Sequence, residues 1–207
     1  VCVHFGQCGG CLWQELDYPA QVAAKTTQVR DSLMRLGGFA EPPVGEALTA
    51  PEIYGYRNKM EFSFSLQVWR VGDDDPGHFG CGLHVRGWFD KVLNNSECHL
   101  TNPWAVEALR VVREAARKTG LPPWNSHVQR GFFRFLIARE GVNTGERMAS
   151  LITWPCDPGS PEALAAEAVL GALKAADPGI TSLIHGVTDS KAGVAFSQSH
   201  RAVFGPD

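Results

Sequence analysis

Hydrophobic and polar positions change period several times along this chain, and each change marks an element. Val22, Thr26, Val29, Leu33 and Leu36 recur at helical spacing, with Lys25, Arg30 and Arg35 around them, which predicts an amphipathic helix. Asp17 or Tyr18 before Pro19 opens it and Gly37-Gly38 closes it, since proline suits the first helical turn and glycine the end. From Met60 the period shortens to two. Met60, Phe62, Phe64 and Leu66 alternate with polar neighbours, the pattern of a half-buried strand. Return strands are expected at 82–85 and near Lys91. Asn102-Pro103 opens a second helix that ends at Gly120, and 131–139 and 147–154 read as strands joined by a short loop at 141–145. Ser160-Pro161-Glu162 opens a third helix ending near Ala176, and 180–187 is a last strand.

The order β-β, then α-β-β-α-β, predicts an α+β fold: an antiparallel sheet with helices covering one face, preceded by an N-terminal loop and helix. The stretch 41–55 is Pro-rich and irregular, so it links the first helix to the next body. The expected organisation is a short ligand-bearing segment at 1–16, helix and linker at 17–45, and a central body at 46–207. Asp73-Asp74-Asp75-Pro76-Gly77 reads as a solvated hairpin tip in preference to a metal site. No run approaches the ~18 apolar residues that span a bilayer, and no apolar signal segment opens the chain. A cytoplasmic monomer with no membrane partner is therefore expected.

Charge changes the picture only by its distribution. A net charge of −3 counts against a chain-wide cationic surface. Between 108 and 140, however, seven Lys/Arg face two Glu, whereas after 140 four basic residues face seven acidic ones. That asymmetry suits one cationic face.

The densest chemistry lies at the start, in Val-Cys-Val-His-Phe-Gly-Gln-Cys-Gly-Gly-Cys. Cys2, Cys8 and Cys11 are close in sequence, and a Cys-x-x-Cys step lets two sulfurs face one centre. Gly9 and Gly10 are expected to take positive φ and bring amide N–H groups to sulfur. Three thiols need a fourth ligand. Cys81, Cys98, Cys156, His4 and His99 are the candidates; zinc would accept a histidine, whereas an iron–sulfur cluster favours a fourth cysteine. Cys81 and Cys156 read better as small buried apolar residues. Cys156 as a nucleophile has only Trp-Pro-Cys-Asp behind it and no assignable base.

Cys-x-His-Phe-Gly-x-Cys-Gly-Gly-Cys resembles the cluster motif of the iron–sulfur RNA uracil-C5 methyltransferases, which use S-adenosylmethionine. Gln14, Gln21 and Lys25 resemble a further family stretch, and Tyr56-Arg57-Asn58-Lys59-Met60-Glu61-Phe62-Ser63-Phe64 resembles a family strand. Gly82-Leu83-His84, Phe89-Asp90-Lys91-Val92 and Cys98 resemble the family hairpin that ends in the fourth cluster cysteine, and Gly131, Arg134 and Arg139-Glu140-Gly141 the next paired strands. The resemblance implies a [4Fe–4S] cluster on Cys2, Cys8, Cys11 and Cys98. It also implies that the first helix docks on a methyltransferase half. That half's glycine-rich loop, nucleophilic cysteine and carboxylate base are not recognisable here. Phe196-Ser197-Gln198-Ser199-His200 echoes a family cofactor element without its second aromatic residue or Asn, so no catalytic or S-adenosylmethionine-binding residue is assigned.

The expected function is that of a cluster-bearing, RNA-binding portion of a ribosomal or transfer RNA methyltransferase, inactive alone. The competing reading is a stand-alone zinc or iron–sulfur interaction module. For RNA the expected contacts are Arg57 and Lys59, with Tyr56 as a stacking platform and Arg134 next. Against this, Arg57 could pair with Glu61 and Tyr56 could be core. Strand alternation puts Arg134 and Arg139 on opposite faces unless a bulge intervenes. A fixed loop around the cluster could also present His4, Gln7 or Gln14.

Overall fold

The computed structural model describes residues 1–70, 77–177 and 179–206. Its centre is a six-stranded sheet: β1 (Lys59–Ser65), β2 (Gly80–Gly82), β3 (Phe133–Glu140), β4 (Arg147–Thr153), β5 (Ser182–Val187) and β6 (Ser199–Phe204). The strands lie in the order β2-β1-β3-β4-β5-β6. Among the described residues three helices accompany them, α1 (Tyr18–Arg35), α2 (Pro103–Lys118) and α3 (Pro161–Ala176). The fold is α+β, as the changing period predicts. Four pairings are antiparallel and β4–β5 is parallel, because α3 carries the chain back to the same end of the sheet as a crossover. The aspartates at 73–75 lie outside the described residues.

One sheet face is apolar and covered. Met60, Phe62 and Phe64 of β1 pack with Leu136 and Ala138 of β3 against Leu109 and Val112 of α2 and Val169 and Leu170 of α3. Burying each large apolar side chain contributes roughly 1.5–3 kcal/mol. Both helices start where their caps predict. Asn102 Oδ1 accepts from the Trp104 N–H at 3.3 Å, and Ser160 Oγ accepts from the Ala163 N–H at 3.2 Å. These bonds satisfy first-turn donors that have no partner inside the helix.

The sequence pattern does not predict strand β6. Ser-His-Arg-Ala-Val-Phe has no apolar alternation, and the strand is an exposed edge defined by its backbone pairing to β5. Helix α1 forms where predicted but buries no residue. Tyr18 Oη accepts from the Ala50 N–H at 2.8 Å, while Gln21 Nε2 donates to the Leu16 carbonyl at the same distance. Val29, Met34 and Leu36 remain exposed.

A register shift between Phe133 and Phe135 inserts one extra residue into β3. Phe133 packs in the helix-covered core, whereas Arg134 and Phe135 both line a cavity beside Ser63 and Ser65. A bulge of this kind re-aims side chains.

Candidate functional site

The N-terminal segment folds back on the stretch that carries Cys98. The Val3 N–H donates to Glu97 Oε1 at 2.6 Å, the Ser96 N–H to His4 Nε2 at 2.9 Å and the Gly9 N–H to the His84 carbonyl at 2.9 Å. Cys8 and Val85 form an antiparallel bridge, and Cys8, Val85 and Leu93 make a small core of their own. Below them Gly82 passes so close that an added Cβ would sit 1.8 Å from the Leu93 carbonyl oxygen. No residue with a side chain fits that crossing.

The result brings Cys2, Cys8, Cys11 and Cys98 to the wall of one small cavity, with Gln14, Asn95 and Leu100. All four are free thiols. Backbone N–H groups do approach sulfur: His4 N is 3.4 Å from Cys2 Sγ and Gly10 N is 3.4 Å from Cys8 Sγ. The conformational expectation is corrected, however. Gly6 takes the positive φ, at 85°, and neither Gly9 nor Gly10 does. Gly9 serves instead by close approach, since a Cβ there would lie 3.1 Å from the His84 carbonyl oxygen.

Burial pushes the Cys2 thiol up to about 11, with Glu97 and Cys98 adding to the shift. Burial likewise raises Cys11, followed by the charges of Cys98 and Cys8, while Arg57 opposes them. The sulfurs therefore lie within electrostatic reach of one another. A cation would favour their thiolate forms. Among the described residues, no group of three or more His, Cys, Asp or Glu side chains is gathered closely enough to hold a single metal ion. His4 is spent: its Nε2 accepts from Ser96, it is 8 % exposed, and burial lowers its pKa. It is neither a free ligand nor presented outward. Cys81 is fully buried in the main core and Cys156 packs against it.

The other candidate residues divide. Tyr56 is 58 % exposed, so its ring is not core. Arg57 is half-buried, held by its N–H to the Leu100 carbonyl at 2.8 Å. Glu61 pairs with Lys59, not with Arg57. Arg134 is corrected from an open strand position to a buried one, 1 % exposed. Its Nη1 and Nη2 donate to the carbonyls of Ser190 and Ala192 at 2.6 and 3.0 Å, and its guanidinium lies 3.7 Å from the centre of the Trp124 ring. Burial lowers its pKa to about 10. Arg139 differs from Arg134 in being open to solvent. It is exposed and sits opposite Lys59 across β1–β3, so the two cations share one patch. Alternation at Lys59 and Arg139 signalled this only once the pairing register was known.

No protein-family model matches the chain. A protein of Nitratidesulfovibrio vulgaris named as an uncharacterized RNA methyltransferase is 39 % identical over 199 residues, covering 96 % of this chain and 40 % of that protein. One of Chlorobaculum tepidum with the same designation is 34 % identical over 213 residues, covering 99 % and 43 %. The crystal structure of the Pyrococcus abyssi tRNA (uracil-54, C5)-methyltransferase in complex with S-adenosyl-L-homocysteine shares the fold, with TM-score 0.64 and 24 % identity over 94 % of this chain and 40 % of that one. The chain spans about two fifths of the length of these relatives. Along nearly all of its own length, it is similar to a segment of proteins named as RNA methyltransferases.

Proposed function

We propose that this chain is the cluster-bearing, RNA-binding part of an S-adenosylmethionine-dependent RNA uracil-C5 methyltransferase acting on ribosomal or transfer RNA. One observation supports it most: the four cysteines of the motif, three N-terminal and one far along the chain, line a single cavity. The relatives' names support the methyltransferase class, and the neighbour's bound S-adenosyl-L-homocysteine supports the methyl donor. The donor set fits a [4Fe–4S] cluster. It is all cysteine, N–H groups face the sulfurs, and a multi-iron core does not need its four sulfurs to meet at one point as zinc does.

Cys2, Cys8, Cys11 and Cys98 would hold the cluster, which supplies iron–thiolate bonds that cross-link two distant segments. The chain's own groups do the rest. The His4 and Gly10 N–H groups offset thiolate charge, and Arg57 adds a positive charge near Cys11. Tyr56 offers a ring for stacking, and Arg57, Lys59 and Arg139 offer cations for phosphate. Nucleophile, base and methyl-donor site lie in the remainder of the longer enzyme, so the 207-residue chain alone binds RNA without methylating it. The test compares single-stranded RNA binding by cluster-loaded and cluster-free chain. A salt-sensitive affinity that weakens on cluster loss supports the reading; affinity indifferent to the cluster contradicts it.

A further inference from the structure

A second cavity, of about 530 Å³, opens on the sheet face away from α2 and α3. Its volume falls in the range of small-ligand sites, about 300–1,000 Å³. Trp88 and Phe89, both exposed, stand among its lining residues, and Trp124 and Phe135 form buried wall. Buried polar atoms without partners converge here. Arg134 Nε, Asp90 Oδ1, Ser126 Oγ and His84 Nδ1 are each shielded from solvent and each without a hydrogen bond, and all four residues line the cavity. Arg134 is 1 % exposed and Asp90 8 %. Their other atoms are committed: Arg134 Nη1 and Nη2 to Ser190 and Ala192, and Asp90 Oδ2 to His127 Nε2 at 2.8 Å. Orphaned buried polar groups are costly, so several around one cavity imply a ligand that completes them.

The four atoms define the ligand's chemistry. Arg134 Nε–H is a donor, Asp90 Oδ1 an acceptor, and the Ser126 hydroxyl and His84 Nδ1 can each be either. Arg134 and Lys191 put positive charge on the wall, but a phosphate, whose oxygens only accept, gives Asp90 Oδ1 no donor. A planar heterocycle with N–H and acceptor atoms on one edge and apolar faces satisfies both the polar atoms and the aromatic walls. Resting on the RNA-binding reading above, we infer that this cavity takes one unpaired nucleobase of the bound RNA, its edge held by Asp90, Ser126 and Arg134. The β3 bulge is what points Arg134 there.

The test titrates the 207-residue chain with uridine and guanosine 5′-monophosphates and with ribose 5-phosphate, read by tryptophan fluorescence. Single-stranded RNA binding is measured in parallel by anisotropy. At least one nucleotide is expected to bind while ribose 5-phosphate does not. Asp90→Ala, which removes the acceptor, and Trp88→Ala, which trims an exposed wall, should each weaken nucleotide binding by about tenfold. Unchanged thermal midpoints exclude misfolding, and Trp88→Ala, on an exposed ring, serves if Asp90→Ala unfolds. RNA binding without nucleotide binding, or nucleotide binding that both variants leave unchanged, overturns the base site and spares the RNA reading. Nucleotide binding without RNA binding overturns the RNA reading and keeps the cavity. Loss of both removes both.

Discussion

The two faces of one sheet follow different rules. The face under α2 and α3 is filled by Phe62, Leu136, Leu151 and their helix partners, all fully buried and apolar. The opposite face buries Arg134 and Ser150 as well as Phe135 and Ile152. Apolar contacts need no defined partner, so the first face specifies the fold. Buried polar groups need particular partners, so the second face carries specificity. The N-terminal segment belongs with the second kind: among the described residues its core is small, Cys8, Val85 and Leu93 with Trp69 and Leu83 packed against them, and hydrogen bonds do the fastening.

The comparison breaks first at the covered face. Phe62→Ala should cost about 3–5 kcal/mol in urea unfolding, the combined loss of burial and an unfilled cavity. A cost below about 1 kcal/mol would mean that the helix-covered face does not set stability. Stability should also respond to acid through buried histidines, of which His185 lies on the helix-covered side in register with Leu151. Burial lowers the pKa of His185, whose Nε2 lies 2.9 Å from Thr153 Oγ1, and the Arg201 charge lowers it further. A lowered histidine pKa means that the unfolded chain binds the proton more readily. The stabilising effect is thus present above the unfolded value of about 6.5 and lost as pH falls through it toward the folded value. His4 and His84 act in the same sense. Thermal midpoints should fall between pH 7 and pH 5, and His185→Asn should flatten part of that fall. An unchanged slope would assign the acid sensitivity elsewhere.

Smaller effects sharpen the contrast. Removing the cap with Asn102→Ala should cost about 1 kcal/mol, readable as a shift in urea midpoint at constant slope. Lys59→Ala and Arg139→Ala should leave stability within about 0.5 kcal/mol but weaken RNA binding. Each should reduce the slope of log affinity against log salt by about one. Equal slopes for wild type and variants would remove the β1–β3 patch from the RNA surface.

What was legible in the chain follows the same division. Helix starts at Asn102 and Ser160 and the alternation of β1 are local, so the sequence pattern places them. Sheet neighbours are not local. The pairing of Lys59 with Arg139 needs the β1–β3 register, and edge strand β6 owes its form to β5. Only a bulge brings Arg134 to the face of Arg139, yet nothing in Phe-Phe-Arg-Phe announces it. At the cysteine site the motif chose the four residues, while the preference for them over His4 became physical only with the Ser96 bond to its Nε2.

The measurement that tests the central claim most directly is iron and acid-labile sulfide per chain, in protein purified without oxygen, for the wild type and Cys98→Ala. About four irons and about four sulfides, lost or sharply reduced in the variant, is the result expected of a [4Fe–4S] cluster clamped between the N-terminal segment and Cys98. One zinc without sulfide, or iron indifferent to Cys98→Ala, would contradict it.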